Sequence, residues 1–596
     1  QLNCCTSIVP TLARVRAASH TMLPFGDINV VVLTDVHSWV SGHSSTHEPH
    51  LNADYGHVLS FYKHIQDILQ SPEYEEHRNL FFVMNGDFMD GTGLSTNPPN
   101  ELLPILEHMP WNALNVGNHE LYANSTVEAI VKKPGGFADW WGGRYLTSNV
   151  VLRRNGEPLG SRYTIMHGGD GTTKVITFGF LYDMQDAVKK VKVEPVEEVI
   201  VSKWFRSALV DEHFDAILVL AHMDFKDELV QVLLEGIREV VGLKVPVQFI
   251  TGHSHIRAYD NSTGVCSTSF EAGKYLDTVG FVSFSKDSSC EFNHVFIDGS
   301  IDSLREAVGV KAFNTDDGEA LSSYIVEAQE RMGLLEVVGC APKHYSYEWN
   351  MTSGSRSFWR IYLEDIVPQS KLFHRGKSSH RKALLQDTGA FRYDLFEGVQ
   401  TVNDVLALSP FNDTFYLVGS NISGSVIKHI YQELTVYENK TMFGTVQSYP
   451  KYGFAPRGPI AANDSYELYS SGFGLEDVVN ALHELHEIDV EPKELKFAST
   501  SMIIDYISKS WPCSNSHAAS GASHHPSRPH FPVDVKDVIP ARTKESNITL
   551  IFLSVVYFAG VCAFLSYRRR KRRRAERMVI ENSESEFEPV TVAVFA

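Results

Sequence analysis

Five short apolar runs between residues 28 and 255 each end on a side chain able to bind a metal ion, and this arrangement limits the possible folds more than any other feature. Residues 28–33 (INVVVL) run into Thr34–Asp35–Val36–His37, and residues 80–84 (LFFVM) into Asn85–Gly86–Asp87. Residues 113–116 (ALNV) lead to Gly117–Asn118–His119–Glu120, residues 216–220 (AILVL) to Ala221–His222, and residues 247–250 (VQFI) to Thr251–Gly252–His253–Ser254–His255. Apolar, β-branched runs of this length read as strands. Segments with helical spacing, such as 55–69 and 196–209, lie between them. Strands alternating with helices predict an α/β sheet, whose ligands gather at the carboxyl ends of the strands. Gly86, Gly117 and Gly252 stand where a strand must turn sharply and backbone must approach a bound ion. One His after a strand is ordinarily a loop or capping residue; the same form repeated along the chain calls for a common cause.

Asp, Asn and His without Cys favour borderline divalent ions such as Zn, Mn, Fe or Co. Two such ions about 3.5–4 Å apart hold a phosphate and acidify a water between them. The formal net charge, 53 − 72 = −19, argues against nucleic acid as the main partner. A phosphate site on so acidic a chain needs local positive charge, which metal ions supply. There is no P-loop, no dinucleotide fingerprint, no nucleophile elbow and no internal repeat.

In their order, the motifs D-x-H, G-D, G-N-H-E, H and G-H-x-H resemble those of the calcineurin-like metallophosphoesterases. By that resemblance Asp35, His37 and His255 hold one metal together with Asp87, which bridges to a second metal completed by Asn118, His222 and His253. His119 then stands beside the phosphate, stabilising the transition state or protonating the leaving oxygen. Residues 145–150 (YLTSNV), 271–275 (EAGKY), 398–405 (GVQTVNDV) and 409–412 (SPFN) are similar to segments of the 5'-nucleotidase and UDP-sugar hydrolase branch, here in a membrane-anchored form of fungal type. The implied fold is a four-layer sandwich over residues 25–300, two central β-sheets flanked by helices, followed by an α+β domain over 301–512. In that branch the second domain recognises the nucleoside with stacked aromatic rings. The expected activity is hydrolysis of nucleotides or related small phosphoesters with two divalent ions as cofactors.

Three departures bear on the substrate. Asn118–His119–Glu120–Leu121–Tyr122 has Tyr122 where the branch has an Asp that supports the catalytic His, so that support must come from elsewhere. His255 replaces the Gln or Asn frequent in the branch, and residues 470–475 (SSGFGL) replace its double-glycine, acidic segment. Phe454, Tyr466, Tyr469 and Phe473 are the candidate stacking groups. Residues 41–50 (SGHSSTHEPH) read as a solvated loop, and Trp140–Trp141 as a packing element. Two alternative readings remain: a phosphodiesterase of another substrate class, and a non-catalytic metal-binding glycoprotein.

Residues 548–567 (ITLIFLSVVYFAGVCAFLSY) carry no charge, over about the 20 residues a helix needs to cross a bilayer. Residues 568–574 (RRRKRRR) follow at once, so the chain is expected to span the membrane once, with its N-terminal bulk luminal or extracellular. This predicts a type I protein of the vacuolar or plasma membrane, with the lipid bilayer as a partner. A 1–24 extension, a Ser-, His- and Pro-rich stalk over 513–547 and a basic-then-acidic tail over 568–596 complete the organisation. Gln1 in place of an initiator Met is read as the mark of a removed signal peptide. Signals for N-glycosylation at Asn124, Asn261, Asn350, Asn412, Asn421, Asn439, Asn463 and Asn547 fit the secretory pathway. Of seven cysteines, Cys562 lies in the apolar segment, leaving Cys4, Cys5, Cys266, Cys290, Cys340 and Cys513 to pair in a connectivity the sequence leaves open.

Overall fold

A computed structural model describes residues 23–44, 46–95, 98–348, 355–374, 381–435, 437–442, 445–455 and 460–513. Two six-stranded sheets make the centre of the first domain. In one, strands Ile28–Leu33, Leu80–Asn85, Ala113–Asn115 and Tyr145–Leu146 run parallel, with Thr278–Phe284 and Phe292–Asp298 added antiparallel. In the other, Lys174–Leu181, Ala216–His222, Val247–Ile250 and Ser267–Ala272 run parallel between two antiparallel edges. Strand alternation sends Ile28, Val30 and Val32 to the layer between the sheets, where they meet Ala216, Leu218 and Leu220. Val31 and Leu33 face the helices on one outer side, and Ile217 and Val219 those on the other. Both faces of the central strands are therefore covered, which is why their sequences are unbroken apolar runs. The expected four-layer sandwich is what these residues build.

Two buried asparagines cross the inter-sheet layer just below the strand ends. Asn85 Nδ2 donates to the carbonyls of Ala221 (3.1 Å) and Ile250 (2.9 Å). Asn115 Nδ2 donates to Asn85 Oδ1 (2.9 Å) and to the carbonyls of Phe180 and Leu220. Polar groups this deep hold only when bonded, and here the bonds fix one sheet against the other at the height of the metal-binding loops.

The second domain is built on a five-stranded mixed sheet in the order Tyr452–Ala455, Arg381–Asp387, Ser465–Ser471, Thr414–Ser423, Lys493–Ala498. Helices Gly424–Leu434 and Leu475–His486 cover one face and Ser499–Ser510 the other. The domain boundary differs from the expected 300/301. Helices Ile301–Val308 and Asp316–Arg331 bury Leu304, Leu321 and Ile325 in the core of the first domain, against Tyr55–Gln70. Disulfides join Cys266 to Cys290 and Cys340 to Cys513. Among the described residues no helix is long and apolar enough to cross a membrane. The expected span 548–567, the tail, Cys4, Cys5, Cys562, Asn350 and Asn547 lie outside the described residues, as do nearly all of the 1–24 extension and the stalk.

Candidate metal centre

The strand ends bring the ligands predicted from sequence together. Asp35, His37, Asp87 and His255 form one group, and Asp87, His222 and His253 a second, with ligand atoms within 4.8 Å of one another in each. Asp87 belongs to both, as a bridging carboxylate must. Asn118 joins the second group, its Oδ1 3.1 Å from His222 Nε2. The loops reach this geometry through left-handed backbone at Asp35, His37, Asp87, Asp90, His253 and His255. Asp and His tolerate that region better than most residues, yet it is held only where surroundings enforce it.

Hydrogen bonds around the ligands fix which atoms face the centre. His37 Nδ1 donates to the carbonyls of Met89 (2.8 Å) and Asp90 (3.1 Å), so its Nε2 lone pair is free. His222 Nδ1 donates to the Asn85 carbonyl at 2.8 Å, which turns its Nε2 toward the centre. The backbone N–H of His119 donates to Asp87 Oδ1 and that of His253 to Asp35 Oδ1, both at 2.9 Å. Asp35 Oδ2 and Asp87 Oδ2 are buried and complete no hydrogen bond, although His222 Nε2 lies 3.1 Å from the latter. His37 Nε2 and His255 Nε2 face each other at 3.1 Å. Unpaired buried carboxylate oxygens beside converging imidazole lone pairs fit divalent cations.

The electrostatics agree. Burial, with Asp87 nearby, lifts the Asp35 carboxyl to about 7. Burial would raise Asp87 too, but His222, His119 and His37 hold it well below the usual carboxylate range. Against the pull of burial, Asp87 and Asp35 raise His222 to about 10, so a proton occupies the space that a cation would fill. Burial lowers His37, His253 and His255, the last helped by His37, Lys274 and Arg392. Metal coordination requires neutral imidazoles of this kind.

Glu120 holds the loops from behind. Its carboxylate accepts from the backbone N–H of Asp87, Phe88, Met89 and Gly117 at 2.7–3.1 Å. Burial, then repulsion from Asp87, pushes it up to about 8. Glu271 does the same for the last ligand loop, accepting from Ser254 Oγ and the Ile256 N–H.

His119 points its ring toward the bridge, with Nε2 3.9 Å from Asp87 Oδ2. Its support comes from Asp90, whose Oδ2 lies 2.9 Å from His119 Nδ1. Asp90 follows Asp87 by three residues in the same loop, and that spacing is its signal in the sequence. Tyr122 instead accepts from Asn118 Nδ2 at 3.1 Å, which turns Asn118 Oδ1 toward His222. From the second domain come Arg392 and Phe411, neither predicted from sequence. With His119, Tyr122, Asp387, Asp413 and Phe473 they line a cavity of about 80 Å³. Arg392 lies over the Phe411 ring at 5.7 Å, and its charge reaches His255 and His253.

Several expectations are corrected. Of the four candidate stacking residues only Phe473 lines the cavity. Tyr466 and Tyr469 are buried in the second-domain cores, and Phe454 packs against one of them. The strand Ser465–Ser471 is covered on both faces, so its aromatics have no route to the cleft. The loop at 41–50 is not wholly solvated, because His43 is buried. Trp141 packs in the core as expected, whereas Trp140 is exposed. Among the glycosylation signals Asn261, Asn421 and Asn463 are exposed and Asn124 is half-buried. Asn412 is 5% exposed, which leaves a glycan no room on the folded chain. Asn439 lies in a strand whose side chains are outside the described set.

Comparison with known proteins agrees with this geometry. Residues 28–257 match the model of the calcineurin-like phosphoesterases, and residues 345–452 that of the C-terminal domain of NAD nucleotidase. An uncharacterised protein of Schizosaccharomyces pombe is 26% identical over 458 residues, 69% of this chain and 73% of that one. The crystal structure of a 5'-nucleotidase from Candida albicans superposes with a TM-score of 0.73 at 22% identity, over 82% of this chain and 99% of that one. A 5'-nucleotidase precursor from Thermus thermophilus gives 0.59 at 15% identity, over 82% and 97%. At these identities the two solved structures establish a common fold.

Proposed function

We propose, from the premise that this chain is a calcineurin-like metallophosphoesterase with a 5'-nucleotidase-like second domain, that it hydrolyses phosphomonoesters of the nucleotide class. The observation that carries the reading is the cavity between the domains. His119 and Tyr122, which border the metal ligands, form one wall, while Arg392, Phe411 and Phe473 come from the other domain. Two divalent cations held by Asp35, His37, Asp87, Asn118, His222, His253 and His255 would neutralise phosphate oxygens and supply an acidified water. Arg392 then pairs with the remaining phosphate charge, a role suited to its planar fork of donors. His119, oriented by Asp90, gives a proton to the leaving oxygen. With the phosphate against Arg392, the aromatic rings of Phe411 and Phe473 are left to meet the rest of a nucleotide, and Phe473 is 40% exposed.

An oxidising compartment suits the Cys266–Cys290 and Cys340–Cys513 bridges, since disulfides persist outside the cytosol. With the apolar run 548–567 and its basic flank, they support a membrane-anchored glycoprotein of fungal type. Its catalytic part would be luminal or extracellular at the vacuolar or plasma membrane.

The test is a panel of nucleoside monophosphates, UDP-sugars, cyclic nucleotides and choline phosphoesters, run on the metal-loaded chain and on its Asp87→Asn variant. Nucleoside monophosphates should be turned over fastest, and both chelation and Asp87→Asn should abolish turnover. Metal-independent turnover, or none on any phosphoester, refutes the activity; a preference for cyclic or choline esters refutes the substrate class.

A further inference from the structure

The His-rich loop after the first metal motif ends against the segment that carries Arg392. His43 Nε2 donates to the Tyr275 carbonyl at 2.7 Å. Its Nδ1 lies 2.6 Å from the Tyr393 hydroxyl and 3.1 Å from Glu48 Oε2. Tyr393 in turn donates to that Glu48 oxygen. Trp39 stacks on His43 at 4.6 Å and on Tyr275 at 5.5 Å, and its ring meets Tyr393 at 4.3 Å. Trp39, His43 and Glu48 belong to the first domain and Tyr393 to the second, so this network joins the two. It also reaches the metal centre, because Tyr275 N–H donates to the carbonyl of Asp35 at 2.8 Å.

Successive side chains of the second-domain segment have different partners. Arg392 lines the cavity, with its guanidinium over the Phe411 ring and beside the Tyr275 side chain. Tyr393 is held by Glu48 and His43. Asp394 is fixed within its own domain by His344 at 2.7 Å and the Tyr347 N–H at 3.0 Å. The guanidinium is thus placed by contacts on both sides of the domain interface. A long Arg side chain left to itself samples many rotamers, and locating it in advance removes that entropy from substrate binding.

We propose that Glu48, His43 and Tyr393 form an interdomain latch whose task is to position Arg392 for the substrate phosphate. These are positioning residues, since none of them lines the cavity. The proposal rests on the phosphoesterase reading above, and its test separates the two. Metal-loaded parent, Tyr393→Phe, Arg392→Lys and the double variant are compared for KM and kcat on an aryl phosphate, for affinity toward inorganic phosphate by calorimetry, and for metal content. Tyr393→Phe should raise KM and weaken phosphate binding about tenfold, leave kcat within about threefold, and retain the full metal complement. In the Arg392→Lys background the same substitution should change nothing further. Additive effects, or a fall in kcat that follows lost metal, overturn the latch. If the parent binds phosphate without turnover, the calorimetric cycle alone decides the latch while the catalytic reading fails; no phosphate binding at all overturns both. His43→Ala must repeat the pattern, which covers the case in which Tyr393→Phe does not fold.

Discussion

Replacing Asp90 by Asn isolates the role of His119. The Asp90 carboxylate and the His119 imidazole are both buried and lie 2.9 Å apart, a charge-assisted hydrogen bond in a dry environment. Asn preserves shape and an acceptor oxygen but removes the carboxylate charge from the hydrogen bond that orients the ring. A positioned general acid is worth about 10²–10⁴ in rate. With orientation partly retained, the lower end applies, so turnover of an alkyl phosphate should fall about a hundredfold, or about 2.7 kcal/mol. An aryl phosphate whose leaving group needs no proton should lose less than about fivefold, because His119 then has little to supply. The assay is kcat for the two esters, with metal content measured on the same preparations. Asp90 is no metal ligand, so the content should not change. Equal losses on both esters, or loss of metal, would show that Asp90 holds the site together and leaves proton transfer untouched.

Other perturbations give separate readouts. A Cβ at Gly117 would lie 2.2 Å from Asp87 Oδ1 and 2.3 Å from Asp87 N, so Gly117→Ala should displace the bridging carboxylate and leave less than one metal per chain by elemental analysis. In metal-free protein burial lifts Asp35 to about 7 and Glu120 and Glu271 to about 8, while Asp87 lifts His222 to about 10. All four bind more protons folded than unfolded above pH 6.5, so the melting temperature should fall from pH 6.5 to 9 and the fall should shrink when metal is added. His37, His253 and His255, held neutral in the fold, act below pH 6.5 in the opposite sense; a metal-free Tm that rises above pH 6.5 contradicts this account. Opening the Cys340–Cys513 bridge by Cys340→Ser frees a loop with a sequence separation of 173. The chain-entropy relation then gives about 5 kcal/mol as the upper limit of lost stability, measurable by denaturant unfolding.

The metal centre was legible because each ligand is tied to a strand end, and strand ends announce themselves by apolar runs stopping at Gly, Asp, Asn or His. Once both sheets share one carboxyl edge, no further information is needed to bring Asp35 and His253 together. Asp90 was hidden because its role depends on where His119 points. Arg392 and Phe411 were hidden for a larger reason: they reach the site only through the packing of a second domain more than 130 residues further along the chain. Tyr466 and Tyr469 misled because aromatic composition does not reveal which faces of a strand are covered. His43 misled in the opposite direction. A polar loop between small residues reads as solvated, yet burial of its imidazole is made tolerable by Glu48, Tyr393 and the Tyr275 carbonyl, all remote in sequence or invisible to periodicity.

The metal ligands are also where the fold is least comfortable without metal. Left-handed backbone at a non-glycine residue costs of order 1–3 kcal/mol, and Asp35, His37, Asp87, His253 and His255 all adopt it. Two of these residues carry buried carboxylate oxygens without a completed hydrogen bond. Packing and the Glu120 and Glu271 braces hold this arrangement open, but positive charge at its centre is what offsets the burial and the repulsion from Asp87 that lift Asp35. A non-catalytic glycoprotein would need the cations for that reason as much as an enzyme would, so bound metal cannot distinguish the two readings. The distinction lies with side chains that hold no metal. The ring of His119, backed by Asp90, and the guanidinium of Arg392, set across the cleft by a neighbouring domain, belong to neither ligand group. They are accounted for by a substrate phosphate whose leaving oxygen must be protonated.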